Sequence, residues 1–188
     1  MPEIPFPDNA MTESETIDPW YPGLIEVDGE SGSRDTIVRG WPRWKGNISF
    51  GASYVQGPLE ICLQQLQSSK NWTHIPMYWP TIKEPFTAIA AGPNFVAISS
   101  LDLGLEAGVF LNFNGLLQRV THATKANTRY TFGIFPDFEP TGTSPSTYTA
   151  TVPTSIAVRK ASGVNIATGV HNPAYTSGID FQWEEYRA

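Results

Sequence analysis

The sequence predicts a mainly β fold, an antiparallel β-sandwich or split barrel with one flanking α-helix near residues 58–69. Short segments of alternating apolar and polar residues recur along the chain, and they are separated by turn residues, with 16 Gly and 16 Pro in 188 residues. Only one segment has apolar residues at helical spacing. An Asn-Gly pair between two apolar segments indicates a tight β-hairpin.

The length and the charge distribution predict the domain organisation. A chain of 188 residues fits a single domain of roughly 100–200 residues. Residues 1–35 contain nine acids and one base, which gives this segment a charge of −8. The remaining residues carry +2, so the net charge of the chain is −6. We expect an extended, acidic, Pro-rich N-terminal arm over residues 1–19, which is either flexible or ordered only on a partner. We expect residues 20–188 to form a single β domain.

Alternation of apolar and polar residues predicts the strands in order. They are expected at about residues 24–27, 36–41, 44–54, 73–79, 86–89, 95–99, 109–113, 116–123, 129–134, 147–152, 155–160 and 178–186. The first of these, 24–27, has the features of an edge strand. Asn114-Gly115 joins the strands at 109–113 and 116–123 into the hairpin.

The helix is predicted by a stripe of four apolar residues. Leu59, Cys62, Leu63 and Leu66 follow the spacing i, i+3, i+4 and i+7, which places them on one helix face. Pro58 suits the first helical position. We therefore interpret Cys62 as a small buried hydrophobic residue and not as a nucleophile.

Neither metal ligation nor catalysis has a recognisable motif in this chain. His74, His122 and His171 are separated by about fifty residues each and form no local metal-ligand pair. A single cysteine permits no internal disulfide. The sequence contains no nucleophile motif, no phosphate-binding loop and no pair of carboxylates spaced for general acid–base catalysis. We expect no enzyme activity, no catalytic or metal-binding residues and no cofactor.

The net negative charge argues against a basic nucleic-acid clamp, because phosphate binding depends on Lys and Arg. No apolar run approaches the roughly 18 residues needed to cross a bilayer. The first residues also lack the basic and apolar segments of a signal peptide. We therefore expect assembly in the cytoplasm of the producing cell and no membrane partner.

The aromatic and amide side chains are the remaining candidates for function. Large aromatic residues either stack on sugar rings or fill cores and protein interfaces, and both readings stay open. Uncharged glutamines on the helix fit either a subunit boundary or an ordinary solvated face. The expected subunit-interface residues are Trp20, Tyr21, Trp41, Trp44, Gln64, Gln65, Asn112, Asn114 and Trp183.

The order of the sequence elements has a parallel in known proteins. In sequence order they are Gly40-Trp41-Pro42-Arg43-Trp44 with an alternating strand, the Leu/Gln helix Leu59–Gln67, the hairpin Gly108–Val120, the strand Ile156–Arg159 and the acidic aromatic segment Phe181–Tyr186. Over roughly residues 24–186 this pattern resembles short distal or minor tail proteins of tailed bacteriophages.

The resemblance implies a tail-tube-like fold and a structural role in the virion tail. Six copies would form a homo-oligomeric ring, a distal-tail adaptor between the tail tube and the hub, tip or baseplate proteins. Phage DNA would pass through the lumen without specific binding. The alternative is a carbohydrate-binding β module that uses exposed Trp and Tyr.

Overall fold

A computed structural model describes residues 2–7, 10, 12–20, 24–28, 34–38, 42–51, 57–68, 70–136, 147–163, 166 and 179–187. Over these residues the chain is mainly antiparallel β with one α-helix, which confirms the predicted fold class. The helix α1 is Pro58–Leu66. The strands are β1 (Thr12–Trp20), β2 (Leu24–Asp28), β3 (Arg34–Val38), β4 (Arg43–Phe50), β5 (Thr73–Pro76), β6 (Phe86–Ala91), β7 (Asn94–Ile98), β8 (Phe110–Phe113), β9 (Leu116–Ala126), β10 (Arg129–Phe135), β11 (Thr147–Thr151), β12 (Ser155–Lys160) and β13 (Ile179–Glu185).

The chain divides into two compact units where the sequence predicts a single domain. The first unit comprises residues 1–75 and 157–188, and the second comprises residues 76–156. The second unit is therefore inserted into the first, so that the chain passes between them twice. The length of the chain could not predict this division. Two segments that are distant in the sequence, 1–75 and 157–188, together complete one sheet.

The first unit contains a five-stranded sheet with the order β1-β4-β13-β12-β5. Strand β1 pairs antiparallel with β4 from Thr12 opposite Phe50 to Trp20 opposite Arg43. The expected arm over residues 1–19 is thus wrong for residues 12–19, which belong to the sheet. A smaller two-stranded sheet is formed by β2 and β3, so the predicted strand at 24–27 is present but is not an edge of the larger sheet.

One face of this sheet carries large apolar side chains from its two central strands. Ile48 and Phe50 of β4 lie opposite Phe181 and Ile179 of β13, and all four are buried. The next pair along the same face is Gly46 and Trp183. Because Gly46 has no side chain, the Trp183 ring occupies the space over it, where an added Cβ would lie 2.6 Å from the ring atom Cζ2.

Helix α1 has the apolar stripe that its sequence predicts. Leu59, Cys62, Leu63 and Leu66 are all buried, and Pro58 occupies the first turn without needing a hydrogen-bond acceptor for a backbone N–H. The helix ends at Leu66, three residues before the expected end. The side-chain amide of the following residue, Gln67, exchanges hydrogen bonds with the backbone of Ile166.

The second unit is a closed barrel of six strands in the order β10-β7-β6-β11-β8-β9. Every neighbouring pair is antiparallel, and β9 closes the barrel against β10. Its interior contains an aromatic cluster in which most neighbouring rings meet edge to face. The cluster consists of Phe86, Phe95, Phe113, Phe132 and Tyr148.

The predicted Asn-Gly hairpin joins two strands of this barrel. Phe113 pairs with Leu116, which leaves Asn114 and Gly115 as the two turn residues. Both have positive φ, 53° and 84°, the conformation that a two-residue hairpin turn requires. The hairpin prediction is therefore confirmed, with strands at 110–113 and 116–126.

Candidate assembly surfaces

The two edges of the five-stranded sheet differ in what covers them. At one edge, residues 2–4 run beside β5: the Ile4 N–H donates to the Trp72 carbonyl at 2.7 Å, and the Thr73 hydroxyl donates to the Ile4 carbonyl at 2.6 Å. Glu3 forms a parallel bridge with Trp72. Prolines 2, 5 and 7 of this segment lack an N–H, so it makes a poor template for a further strand.

The covering segment is also held by side chains. The Glu3 carboxylate lies 2.8 Å from Nδ1 of His74, which is exposed on β5. Trp72 meets the His74 ring edge to face at 5.0 Å and stacks on Tyr186 at 5.1 Å. Trp72 is thus half-buried in intrachain contacts.

The opposite edge is the nine-residue strand β1. Within the part of the chain that the structure describes, β1 pairs with β4 alone. Its sequence contains three acids, Glu13, Glu15 and Asp18, and no base. Charged residues on an edge strand discourage indiscriminate pairing. Of these acids, Asp18 is exposed and lies directly opposite Lys45 of β4.

An open cavity of about 390 Å³ lies next to β1 in the first unit. Its lining comes from β1, β4, β13 and the turn after β12. The lining residues are Thr16, Asp18, Lys45, Gly46, Asn47, Ala161, Ser162, Gln182, Trp183 and Glu184. Oδ1 of Asn47 is buried and has no hydrogen-bond partner among the described residues. The cavity therefore offers both donors and acceptors, including one buried acceptor.

Two adjacent carboxylates near the end of β13 are buried in arginine pairs. The Arg159 guanidinium donates to Oε1 of Glu184 at 2.6 Å. Arg187 donates to both oxygens of Glu185 at 3.0 and 2.9 Å, and Glu185 also accepts the Trp44 N–H at 3.1 Å. Each carboxylate thus anchors a sheet strand, since removing one partner from a buried ion pair is strongly destabilising. Sequence reasoning missed the first pair because only the register of β12 with β13 places Arg159 opposite Glu184. The second pair is local, since Arg187 follows Glu185 by two residues.

Two of the expected interface residues are buried, and two others lie exposed on the helix. Trp44 and Trp183 are 1% and 0% exposed, so their assignment to an interface is wrong: both belong to the core of the first unit, because their strand positions face inward. Gln64 and Gln65 are exposed on α1, and Gln64 donates to Glu60 at 3.3 Å.

Of the other expected interface residues, two lie in the second unit and three lie partly or wholly outside the described residues. Asn112 is half-buried in β8, whereas Asn114 is exposed and its conformation is explained by the hairpin turn. Trp20 ends β1, with a side chain that lies outside the described part of the structure. Tyr21 and Trp41 fall entirely outside the described residues.

His74 and His122 lie on strands of different units. His74 contacts Glu3 in the first unit, and His122 lies exposed on β9 beside the Thr121 hydroxyl. His171 lies outside the described residues. In the described ranges, no group of three or more His, Cys, Asp and Glu side chains comes close enough together to hold a metal ion. No helix in those ranges has the length and apolarity to cross a membrane.

Cys62 lies in the buried stripe of α1, and this burial raises the pKa of its thiol from 9.0 to about 11. At pH 8 about one folded thiol in a thousand is then ionised, so we expect a thiol reagent to modify native protein far more slowly than unfolded protein. With a thiol reagent that releases a coloured product, absorbance measures the modification rates of the native and the unfolded protein. Equal rates would contradict the placement of Cys62 in the core.

The same shift predicts how stability changes with pH. The folded chain keeps the Cys62 proton between its unfolded and folded pKa values, whereas the unfolded chain loses it. The thiol therefore lowers the free energy of unfolding as pH rises from 9 towards about 11. A Cys62→Ala variant should lack this contribution in denaturant titrations over the same pH range.

Comparison with models of known protein families gives no match, and comparison with curated proteins gives none either.

Proposed function

We propose that this chain is a structural subunit of a bacteriophage tail, which forms a ring adaptor of six copies between the tail tube and the tip or baseplate. The observation that carries the proposal is the asymmetry of the sheet edges. The β5 edge is covered by the chain's own Pro-rich segment, whereas the nine-residue strand β1 has a free edge in the described structure. An open edge supplies unpaired backbone groups for pairing between copies.

A ring is the form of association that such an asymmetry favours. When two different surfaces of one chain meet head to tail, the copies either close into a ring or continue as a fibre. The covered edge at β5 removes the second template that open-ended sheet growth would need. A ring of six therefore needs β1 of one copy to meet a different surface of the next copy, because β1 pairing with β1 would close as a dimer.

Charge supports the DNA-lumen part of the proposal. Six copies of a chain with net charge −6 carry about −36, which would let DNA slide through a lumen without being retained. The tail assignment itself rests on the resemblance of the sequence elements over roughly residues 24–186 to distal or minor tail proteins. Its partners would be the tail tube and the hub or tip proteins.

Electron microscopy of the purified protein tests this proposal. We expect ring-shaped particles with a central hole and six repeated densities. Addition of the tail proteins encoded beside it should place the ring at one end of a tube. A field of separate small particles at high protein concentration, with and without those proteins, would contradict the proposal.

The cavity beside β1 favours a second candidate function, recognition of a carbohydrate. Its mixed donors and acceptors, with the buried Oδ1 of Asn47, suit the hydroxyl groups of a sugar. Trp44 and Trp183 are buried and so are not among the exposed aromatic residues that could stack on a sugar, so recognition in this cavity would depend on hydrogen bonds. Calorimetric titration with oligosaccharides tests it, with Asn47→Ala as the variant expected to lose binding. Absence of heat for every sugar would eliminate this function.

A further inference from the structure

An open cavity of about 410 Å³ lies on the surface of the barrel beside strand β9. This volume is within the range of small-molecule sites. Arg119 and Thr121 are exposed there, whereas Val120 between them belongs to the barrel core. We call this cavity the bulge pocket, and its lining residues are Ala107, Gly108, Arg119, Val120, Thr121 and Phe135.

A β-bulge brings two polar side chains together beside this pocket. Gly133 of β10 pairs with His122 and Ile134 pairs with Val120, so that Thr121 is an extra residue in β9. Successive side chains of a regular strand point to opposite faces, but a bulge can re-aim one of them. Here the Thr121 hydroxyl lies 3.0 Å from Nδ1 of His122. Both side chains occupy the space over Gly133, where an added Cβ would lie 2.7 Å from the hydroxyl and 2.5 Å from the imidazole ring.

The contact between Thr121 and His122 leaves a hydrogen-bond donor for a ligand. When Nδ1 of the imidazole carries a proton, it donates to the Thr121 oxygen, and the hydroxyl proton stays available to an acceptor in the pocket. Thr121 lines the pocket and His122 does not, so His122 is a positioning residue that acts through the hydroxyl.

Arg119 supplies the positive charge of the bulge pocket. Its guanidinium lies 5.8 Å from the centre of the Phe110 ring, and a Cβ added to Gly108 would lie 3.6 Å from its Nη2. Residues 107–136 contain no acid. Within the described ranges, Arg119 forms no ion pair with Glu106 or with any other carboxylate. The guanidinium is therefore supported by its neighbours while its charge stays uncompensated among these residues.

The bulge pocket also has an apolar side chain next to the cation. Phe135 of β10 is half-buried and is the cross-strand partner of Arg119. The Cβ atoms of cross-strand partners lie about 4.5–5.5 Å apart, so the aromatic ring and the guanidinium both border the same small space. A ligand that fits this lining has an anionic group joined to an apolar group.

We propose that the bulge pocket binds a small organic phosphate monoester. The Arg119 guanidinium and the Thr121 hydroxyl hold the phosphate group, and the apolar part of the ligand lies against Phe135. A phosphate group fits these donors better than a carboxylate, because two of its three terminal oxygens can accept from the guanidinium while the third accepts from the hydroxyl. The inference goes beyond the proposed ring and does not depend on it.

Calorimetric titration of the full chain with phenyl phosphate tests the inference. Inorganic phosphate should bind about tenfold more weakly or worse, because it lacks the apolar ring. We expect Arg119→Gln to weaken the binding of phenyl phosphate about tenfold to a hundredfold, and Thr121→Val about fivefold. Arg129→Gln is the matched control: it removes the same charge from the other end of β10, at a residue that does not line the pocket, and should bind like the wild type.

Magnetic resonance of the histidine side chains locates the bound ligand. The His122 ring signals should shift during the titration with phenyl phosphate, while those of His74, which contacts Glu3 in the first unit, should stay unchanged. Shifts of both histidines alike, or of neither, would overturn the inference.

The affinities can overturn the inference in three further ways. Phenyl phosphate might leave no heat at about 10 mM, ten times a dissociation constant of about 1 mM. Inorganic phosphate could bind as tightly as phenyl phosphate, which would remove the role of Phe135. Arg119→Gln could bind as the Arg129→Gln control does, which would place the anion elsewhere. Thermal unfolding shows whether each variant is folded, and Thr121→Val keeps the test decisive if Arg119→Gln is not.

Discussion

Replacement of Gly46 by alanine is expected to destabilise the first unit by about 3 kcal/mol, the upper end of the usual cost of overpacking a core. The added Cβ would overlap the Thr16 carbonyl oxygen of β1 and would lie 2.6 Å from the Trp183 ring. A backbone carbonyl in a paired strand has little freedom to move. The overlap therefore pushes β1 away from β4, or Trp183 out of the core.

Intrinsic fluorescence during denaturant unfolding measures this effect, because five of the six tryptophans belong to the first unit. Gly163→Ala is the matched control in the same unit. Gly163 has φ +79° but no neighbouring atom within 4 Å, so its substitution should cost only the conformational strain of about 1–2 kcal/mol. Equal losses for the two variants would contradict the close packing of Trp183 over Gly46.

Replacement of Phe113 by alanine is expected to destabilise the barrel by about 4 kcal/mol, in the range for a large buried aromatic residue. Phe113 is fully buried and meets three other rings: Phe95 at 4.7 Å, Tyr148 at 5.4 Å and Phe132 at 6.2 Å. These contacts join several strands around the barrel. Their loss leaves a cavity at the centre of the aromatic cluster.

Hydrogen exchange of barrel amides measures this loss separately from the first unit. Ile98→Ala is the matched control, because it also truncates a large apolar side chain of the barrel but at a position that is 77% exposed. Its expected cost is within about 0.5 kcal/mol. If Phe113→Ala left the exchange rates as close to wild type as the control does, the aromatic cluster would not be the core of the barrel.

Local sequence signals predicted those elements whose cause is local. Asn114 and Gly115 form the hairpin because both accept positive φ, and α1 buries the stripe that includes Leu59 and Cys62. Strand β1 was missed because its residues, three acids and a proline among them, have low intrinsic strand preference. Pairing with β4 outweighs that preference, and a pairing partner distant in sequence leaves no local signal.

The candidate surfaces were predicted less well than the fold. Whether Trp183 faces a core or a partner depends on its register with Gly46, which composition does not reveal. The exposure of Ile98 could not be foreseen either, because this residue ends a strand whose preceding residues, Phe95 to Ala97, are buried.

The central claim is that copies of this chain associate into a closed ring, and its mass in solution tests that claim most directly. Light scattering during size-exclusion chromatography should give about 124 kDa, six times the 20.7 kDa of one chain, with the same value over a wide range of loading concentrations. A mass of 20.7 kDa at every concentration would contradict the claim, and so would a mass that grows without limit as concentration rises.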